Sequence, residues 1–186
     1  MIRQRIEMLE IKDCVLVVVD VQGRLAELMD GREKLFENIR IMIKAAGILD
    51  IPVIWCQQCP EALGETVPQI KELLGGSEPV NKASFSCCGE DSFNAALGLT
   101  GRRSVLLCGI EAHICIYQTA ADLSRRGSHV TVIADAVSSR RPENRQLAVE
   151  RMAAMGVNIG SAEMMLFELL KTAKHPKFRD IAKLVK

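Results

Sequence analysis

The chain has 186 residues, 48% of them hydrophobic and 25% charged, with a formal net charge of +1. That balance is globular rather than disordered, and the length suits a single domain over 1–186 with a sizeable core. A charge so near zero gives no ground for nucleic acid or an anionic membrane as a partner, and no stretch is long and apolar enough to span a bilayer.

Residues 14–19 form a continuous, largely β-branched run that ends in Asp20, the pattern of a strand buried on both faces with Asp20 at its C-terminal end. Over 33–50, Leu35, Ile39, Met42, Ala46 and Leu49 share one helical face. Pro52 ends that helix, and 53–56 predicts a second strand. A loop is expected over 57–64, a short helix over 67–74 and a break at 75–77. An extended piece over 79–82 ends at Lys82 and leads into 83–89. Residues 92–99 suit a helix.

The stretch from Ser104 to Tyr117 organises the rest. Val105 to Cys108 is a buried-strand run, Gly109 breaks it, and helical spacing resumes with Ile116, Ala120 and Leu123. Arg125 and Arg126 suit the end of that helix, and Gly127 its stop. Cys115 therefore falls near a helix start just past a strand end, where free N–H groups are expected to lower a thiol pKa. A strand over 129–134 is followed by a polar loop over 136–141. Pro142 opens a helix that runs to Met155, 157–159 forms a last short strand, and 162–171 a last core helix. In the tail, 171–186, the piece from Pro176 to Lys186 is expected to form a weak helix or an arm onto a partner subunit. Strands alternating with helices imply a doubly wound parallel sheet covered on both faces.

In such a sheet the carboxyl ends of the strands converge on one edge. Asp20, Lys82 and Cys115 each follow a strand end. An acid, an amine and a thiol meeting there would make a nucleophilic centre, with the ammonium supporting a thiolate and the carboxylate moving its proton. Each also has a plainer reading: Asp20 as a cap of a helix near Gly23, Lys82 as a solvated charge, Cys115 as a core cysteine.

The segments Val17-Val18-Val19-Asp20-Val21-Gln22, Asn81-Lys82-Ala83-Ser84-Phe85, Gly109-Ile110-Glu111-Ala112-His113-Ile114-Cys115 and Ala134-Asp135-Ala136-Val137-Ser138-Ser139-Arg140, in this order, resemble the isochorismatase-like cysteine hydrolases, nearest the isochorismatase-domain and YcaC-type subgroup. The likeness covers roughly residues 12–170. It implies a six-stranded parallel sheet of order 3-2-1-4-5-6, with Asp20 as general acid/base, Lys82 as support for the thiolate and Cys115 as nucleophile. It also implies a cis peptide between Ile110 and Glu111, with the backbone N–H groups of Glu111 and Cys115 forming an oxyanion hole. Nicotinamidases of this superfamily carry an aspartate–histidine metal site at a strand end that here reads Trp55-Cys56-Gln57-Gln58-Cys59-Pro60, without histidine. No metal and no cofactor are expected.

Gln22, Phe85, His113 and Tyr117 are candidates for the walls of a substrate pocket. His113 is also a candidate base, although residues two apart on a helix do not face each other. Arg140, Arg141 and Arg145 form a basic cluster open to an anionic substrate, to a neighbouring subunit or to solvent. Cys56 and Cys59 form a C-x-x-C that Pro60 places in a loop, and zinc on Cys56, Cys59, Cys87 and Cys88 is disfavoured by the adjacent second pair. Seven cysteines without scaffold spacing, behind a charged start at 1–7, point to free thiols in a reducing cytoplasm. The sequence thus predicts a cytoplasmic, metal-independent hydrolase of a small molecule, an amide being the leading class, assembled as a homo-oligomer. The competing reading is a catalytically idle scaffold of the same fold.

Overall fold

A computed structural model of the chain describes residues 8–186; the charged start at 1–7 lies outside them. Six strands form one sheet of order β3-β2-β1-β4-β5-β6, every neighbouring pair parallel. They are β1 (Cys14–Val19), β2 (Val53–Gln58), β3 (Val80–Lys82), β4 (Ser104–Ile110), β5 (His129–Ser138) and β6 (Asn158–Gly160). The helices in chain order are α1 (Gly23–Glu27), α2 (Arg32–Ile48), α3 (Pro60–Leu63), α4 (Pro68–Lys71), α5 (Asp91–Thr100), α6 (Tyr117–Arg125), α7 (Pro142–Ala154), α8 (Ala162–Leu170) and α9 (Phe178–Ala182).

Every residue of β1 is buried, as its unbroken apolar run requires. Side chains alternate across the pleat into two separate cores. Leu16, Val18, Leu106, Cys108 and Ile133 face one core, built with α2, α4, α8 and α9. Val15, Val17, Val19, Leu107 and Val132 face the other, built with α5, α6 and α7, and this second core also contains Cys56, Cys87 and Cys115. On α2 the buried positions Leu35, Phe36, Ile39, Met42, Ile43 and Ala46 make the stripe expected of a helix laid on a sheet.

Strands β2, β4 and β5 differ from the sequence reading; β4 runs on through Gly109 to Ile110. Strand β2 continues through Gln57 and Gln58, because Gln58 pairs with Lys82 of β3. Polar residues stay in the ladder when a neighbouring strand meets them. The expected loop then tightens into the single turn α3. Strand β5 continues to Ser138, and Ala136, Val137 and Ser138 are buried rather than looped out. Its pairing with β4 shifts register between Leu107 and Gly109, and this irregularity masks the strand in the sequence. In the tail the helix is the alternative that holds: Ile181 of α9 is fully buried in the first core, and Phe178 packs edge-on against Phe167 at 6.1 Å.

Candidate active site

The carboxyl ends of β1, β2, β3 and β4 lie side by side. Val19 is in register with Cys56 and with Gly109, and Gln58 with Lys82. Gly109 is needed there. Its φ is +120°, and a Cβ at that position would stand 2.1 Å from the carbonyl oxygen of Val19. At the end of β1 the chain turns sharply at Asp20, whose φ of 54° is among the left-handed values that aspartate tolerates. Asp20 does not cap α1; Gln22 holds that position, without a side-chain capping bond.

The turn aims the Asp20 carboxylate at Lys82, with Nζ 2.6 Å from Oδ2 and both side chains buried. Lys82 is thus no solvated charge. The three N–H bonds of its ammonium run to Gln58 Oε1 at 3.1 Å and to the carbonyls of Ser84 at 3.1 Å and Phe85 at 3.2 Å. The contact with Asp20 is a charge pair rather than an aligned hydrogen bond, and neither carboxylate oxygen receives a well-directed donor. Burial pulls the Lys82 ammonium down, but Asp20 and the Cys115 sulfur facing it hold it above its ordinary value. Burial pushes Asp20 up against the pull of Lys82.

Cys115 sits in a π-helical turn, Ala112–Ile116, in which the N–H of Ile116 bonds to the carbonyl of Glu111 at 3.2 Å. Its sulfur donates to Gln58 Oε1 at 3.1 Å, and the Asp20 carboxylate lies near the same sulfur without taking its proton. Burial first, and then the Asp20 carboxylate, push the thiol well above its usual range despite Lys82. This reverses the sequence expectation. A helix start lowers a thiol pKa where water reaches it, whereas Cys115 is only 6% exposed and faces a carboxylate. The resting group is a thiol.

The peptide bond between Ile110 and Glu111 is cis. The buried Glu111 carboxylate accepts from the backbone N–H and from Nε of Arg140, both at 3.1 Å. A cavity of about 320 Å³ opens there, lined by Glu111, Arg140, Arg141 and Asn144. His113 touches one of these residues: its Nε2 lies 3.4 Å from Asn144 Nδ2, and its Nδ1 2.9 Å from Ser139 Oγ. Both ring nitrogens are therefore engaged away from Cys115, which suits a wall residue and not a base. Arg145 stands apart from the other two arginines. It staples the irregular end of β5 through the carbonyls of Val137 and Ala134.

The remaining candidates divide. Gln22 is fully buried with its amide bonded to backbone, so it braces the site instead of lining a pocket. Tyr117 turns toward α7, where the Arg151 guanidinium lies 5.2 Å from its ring centroid. Phe85 offers its carbonyl to Lys82, and its ring is exposed. All seven cysteines are free, and burial raises the Cys14 thiol to about 12. Among the described residues no group of three or more His, Cys, Asp and Glu side chains has the arrangement of a metal site. The sequence reading missed Gln58. The rule that finds Asp20 and Lys82 applies to it equally, but the apolar run that marks the second strand stops at Cys56, two residues short of its end.

A carboxylate, an ammonium and a thiol at the switch edge of a 3-2-1-4-5-6 parallel sheet define an α/β protein of the cysteine-hydrolase type. The isochorismatase domain model matches residues 14–164. Isochorismatase domain-containing protein 2A of Mus musculus is 40% identical over 173 residues, which is 92% of this chain and 82% of that one. A solved structure described as MAR1 ribonuclease from Caenorhabditis elegans is 36% identical, covers 96% of this chain and 92% of its own, and superposes with a TM-score of 0.90. The Escherichia coli YcaC structure, described as an octameric hydrolase of unknown specificity, is 19% identical with a TM-score of 0.87, covers 97% of each chain and shares the fold. The chain belongs to the isochorismatase family and is an isochorismatase-like hydrolase. Among the described residues no helix is long and apolar enough to cross a membrane.

Proposed function

We propose that the protein is a metal-independent cysteine hydrolase that cleaves the C–N bond of a small amide. The observation that carries this reading is the convergence of Asp20, Lys82 and Cys115, with the ammonium 2.6 Å from the carboxylate and one amide oxygen touching both ammonium and thiol. Asp20 takes the proton from Cys115 as Sγ bonds to the substrate carbonyl carbon. Lys82 balances the negative charge that forms on sulfur. The carbonyl oxygen gains the displaced electron pair and is met by the backbone N–H groups of Glu111 and Cys115. As the C–N bond breaks, Asp20 returns the proton to the leaving amine, and a thioester remains on Cys115. Water then attacks the thioester with Asp20 as base, releasing the acid and restoring the thiol. A carboxyl held above its ordinary value suits a group that must both take and return a proton.

Two arginines beside Glu111 support a substrate with an anionic substituent. A second reading, RNA cleavage, comes from the description of the Caenorhabditis elegans relative. The enclosure of Cys115, 6% exposed, favours a small molecule over a polynucleotide. The octamer described for YcaC supports a homo-oligomeric assembly, and an idle scaffold would leave the buried charge pair without a task. The test is a panel of small amides, neutral and carboxylated, with a fluorogenic RNA beside them. Amine release and an acyl adduct on Cys115 by intact mass are expected, and Cys115→Ser should give neither while remaining folded. Undiminished turnover by Cys115→Ala would refute the reading.

A further inference from the structure

Gln58 has no role in the steps above, yet it is held firmly at the site. One buried residue grips its backbone on both sides. Gln22 Oε1 accepts from the Gln58 N–H at 2.6 Å, and Gln22 Nε2 donates to the Gln58 carbonyl at 3.1 Å. Gln22 Nε2 is anchored in turn on the carbonyl of Gly64 at 2.7 Å. So held, the Gln58 amide has one sensible orientation. Its Nε2 donates to the carbonyl of Ala83 at 3.4 Å, while its Oε1 accepts from both Lys82 Nζ and Cys115 Sγ, each at 3.1 Å. The flipped amide would set an N–H against an ammonium and a carbonyl against a carbonyl.

Two acceptors therefore face the thiol: the amide oxygen of Gln58 and the carboxylate of Asp20. The difference between them is chemical. A carboxylate can take the proton; an amide oxygen accepts the hydrogen bond and leaves the proton on sulfur. An acceptor with nothing to donate favours S–H and disfavours S⁻. We propose that Gln58 is a positioning residue that parks the Cys115 proton on sulfur and fixes the Lys82 ammonium until a substrate turns the S–H toward Asp20. The proposal rests on reading Asp20, Lys82 and Cys115 as the reacting set. On that turn the proton passes to the carboxylate and the S–H electron pair stays on Sγ. Gln58 keeps its bond to Lys82, so the cation stays where the new thiolate needs it.

The experiment is the rate of iodoacetamide addition to Cys115, followed by peptide mass, with the ultraviolet absorbance of the thiolate as a second measure independent of reagent access. Gln58→Met keeps the bulk and removes the oxygen. Below the thiol pKa it should react about three- to tenfold faster, since a larger thiolate fraction is partly offset by lower nucleophilicity. Gln58→Glu keeps the shape and adds a charge, and should react slower by a similar factor. A residue that only fills space would not move two isosteric variants in opposite directions. Both moving the same way, or either one unmoved, overturns the proposal. If circular dichroism shows Gln58→Met unfolded, Gln58→Asn, which withdraws the oxygen by one methylene, takes its place and should also react faster. Lys82→Met separates the two levels. If it leaves the rate unchanged, the reading of the reacting set fails. If it slows the rate while the Gln58 variants do nothing, only the role of Gln58 fails.

Discussion

Replacing Lys82 with methionine removes the cation from a carboxylate that is 2% exposed. Asp20, already pushed up from 3.8 by burial, loses the charge that pulls it down. In the variant burial acts on Asp20 unopposed, so its carboxyl holds its proton to higher pH in the fold than in the unfolded chain. A raised carboxyl costs stability as pH rises above the unfolded value, by about 1.4 kcal/mol per unit while that condition lasts. Removing one partner of a buried pair typically costs about 3–5 kcal/mol. Denaturant unfolding of the parent protein, Lys82→Met and the double variant Asp20→Asn/Lys82→Met, at acid and neutral pH, measures it. The gap between parent and Lys82→Met should widen with pH, and the double variant should recover most of it. A gap below about 1 kcal/mol at every pH would show that the pair is not buried as described, and would refute the argument.

The same lysine sets an alkaline limit. Its folded-state value lies above 10.5, so its contribution is complete below that pH and is lost as pH rises through the raised value; Lys82→Met should lack this share of the alkaline loss in unfolding free energy. Gly109→Ala drives a Cβ into the backbone of Val19 and should cost more than about 4 kcal/mol; urea unfolding within 1 kcal/mol of the parent, on the order of an ordinary substitution, would contradict the close approach. Gln22→Met strips a donor and an acceptor from the backbone of Gln58 and should cost about 2 kcal/mol or more, read from the same unfolding curves, and amide exchange at Gln58 should accelerate.

Much of this arrangement was legible because it depends on local pattern and a topological rule. The apolar runs at 14–19 and 105–108 identify strands, and the parallel sheet then brings Asp20, Lys82 and Cys115 to one edge. What stayed hidden depends on register and burial. Gln58 reads as loop because nothing in 57–58 announces pairing with Lys82. Ser138 reads as loop because the register shift beside Gly109 breaks the alternation. The direction of the Cys115 shift was misjudged because a helix start is visible in sequence, whereas the exclusion of water and the carboxylate three strands' worth of chain away are not.

The sheet is also a partition. One of its two apolar halves, carried by α2, α4, α8 and α9, has no side chain in common with the half that encloses the reactive sulfur. Substitutions such as Ile39→Val or Leu166→Met can therefore change how long the molecule survives without changing what its thiol does. The α5, α6 and α7 half has no such freedom, because its packing is also the solvent of Cys115. Engineering for robustness belongs on the first side of the sheet, and engineering for new reactivity on the second.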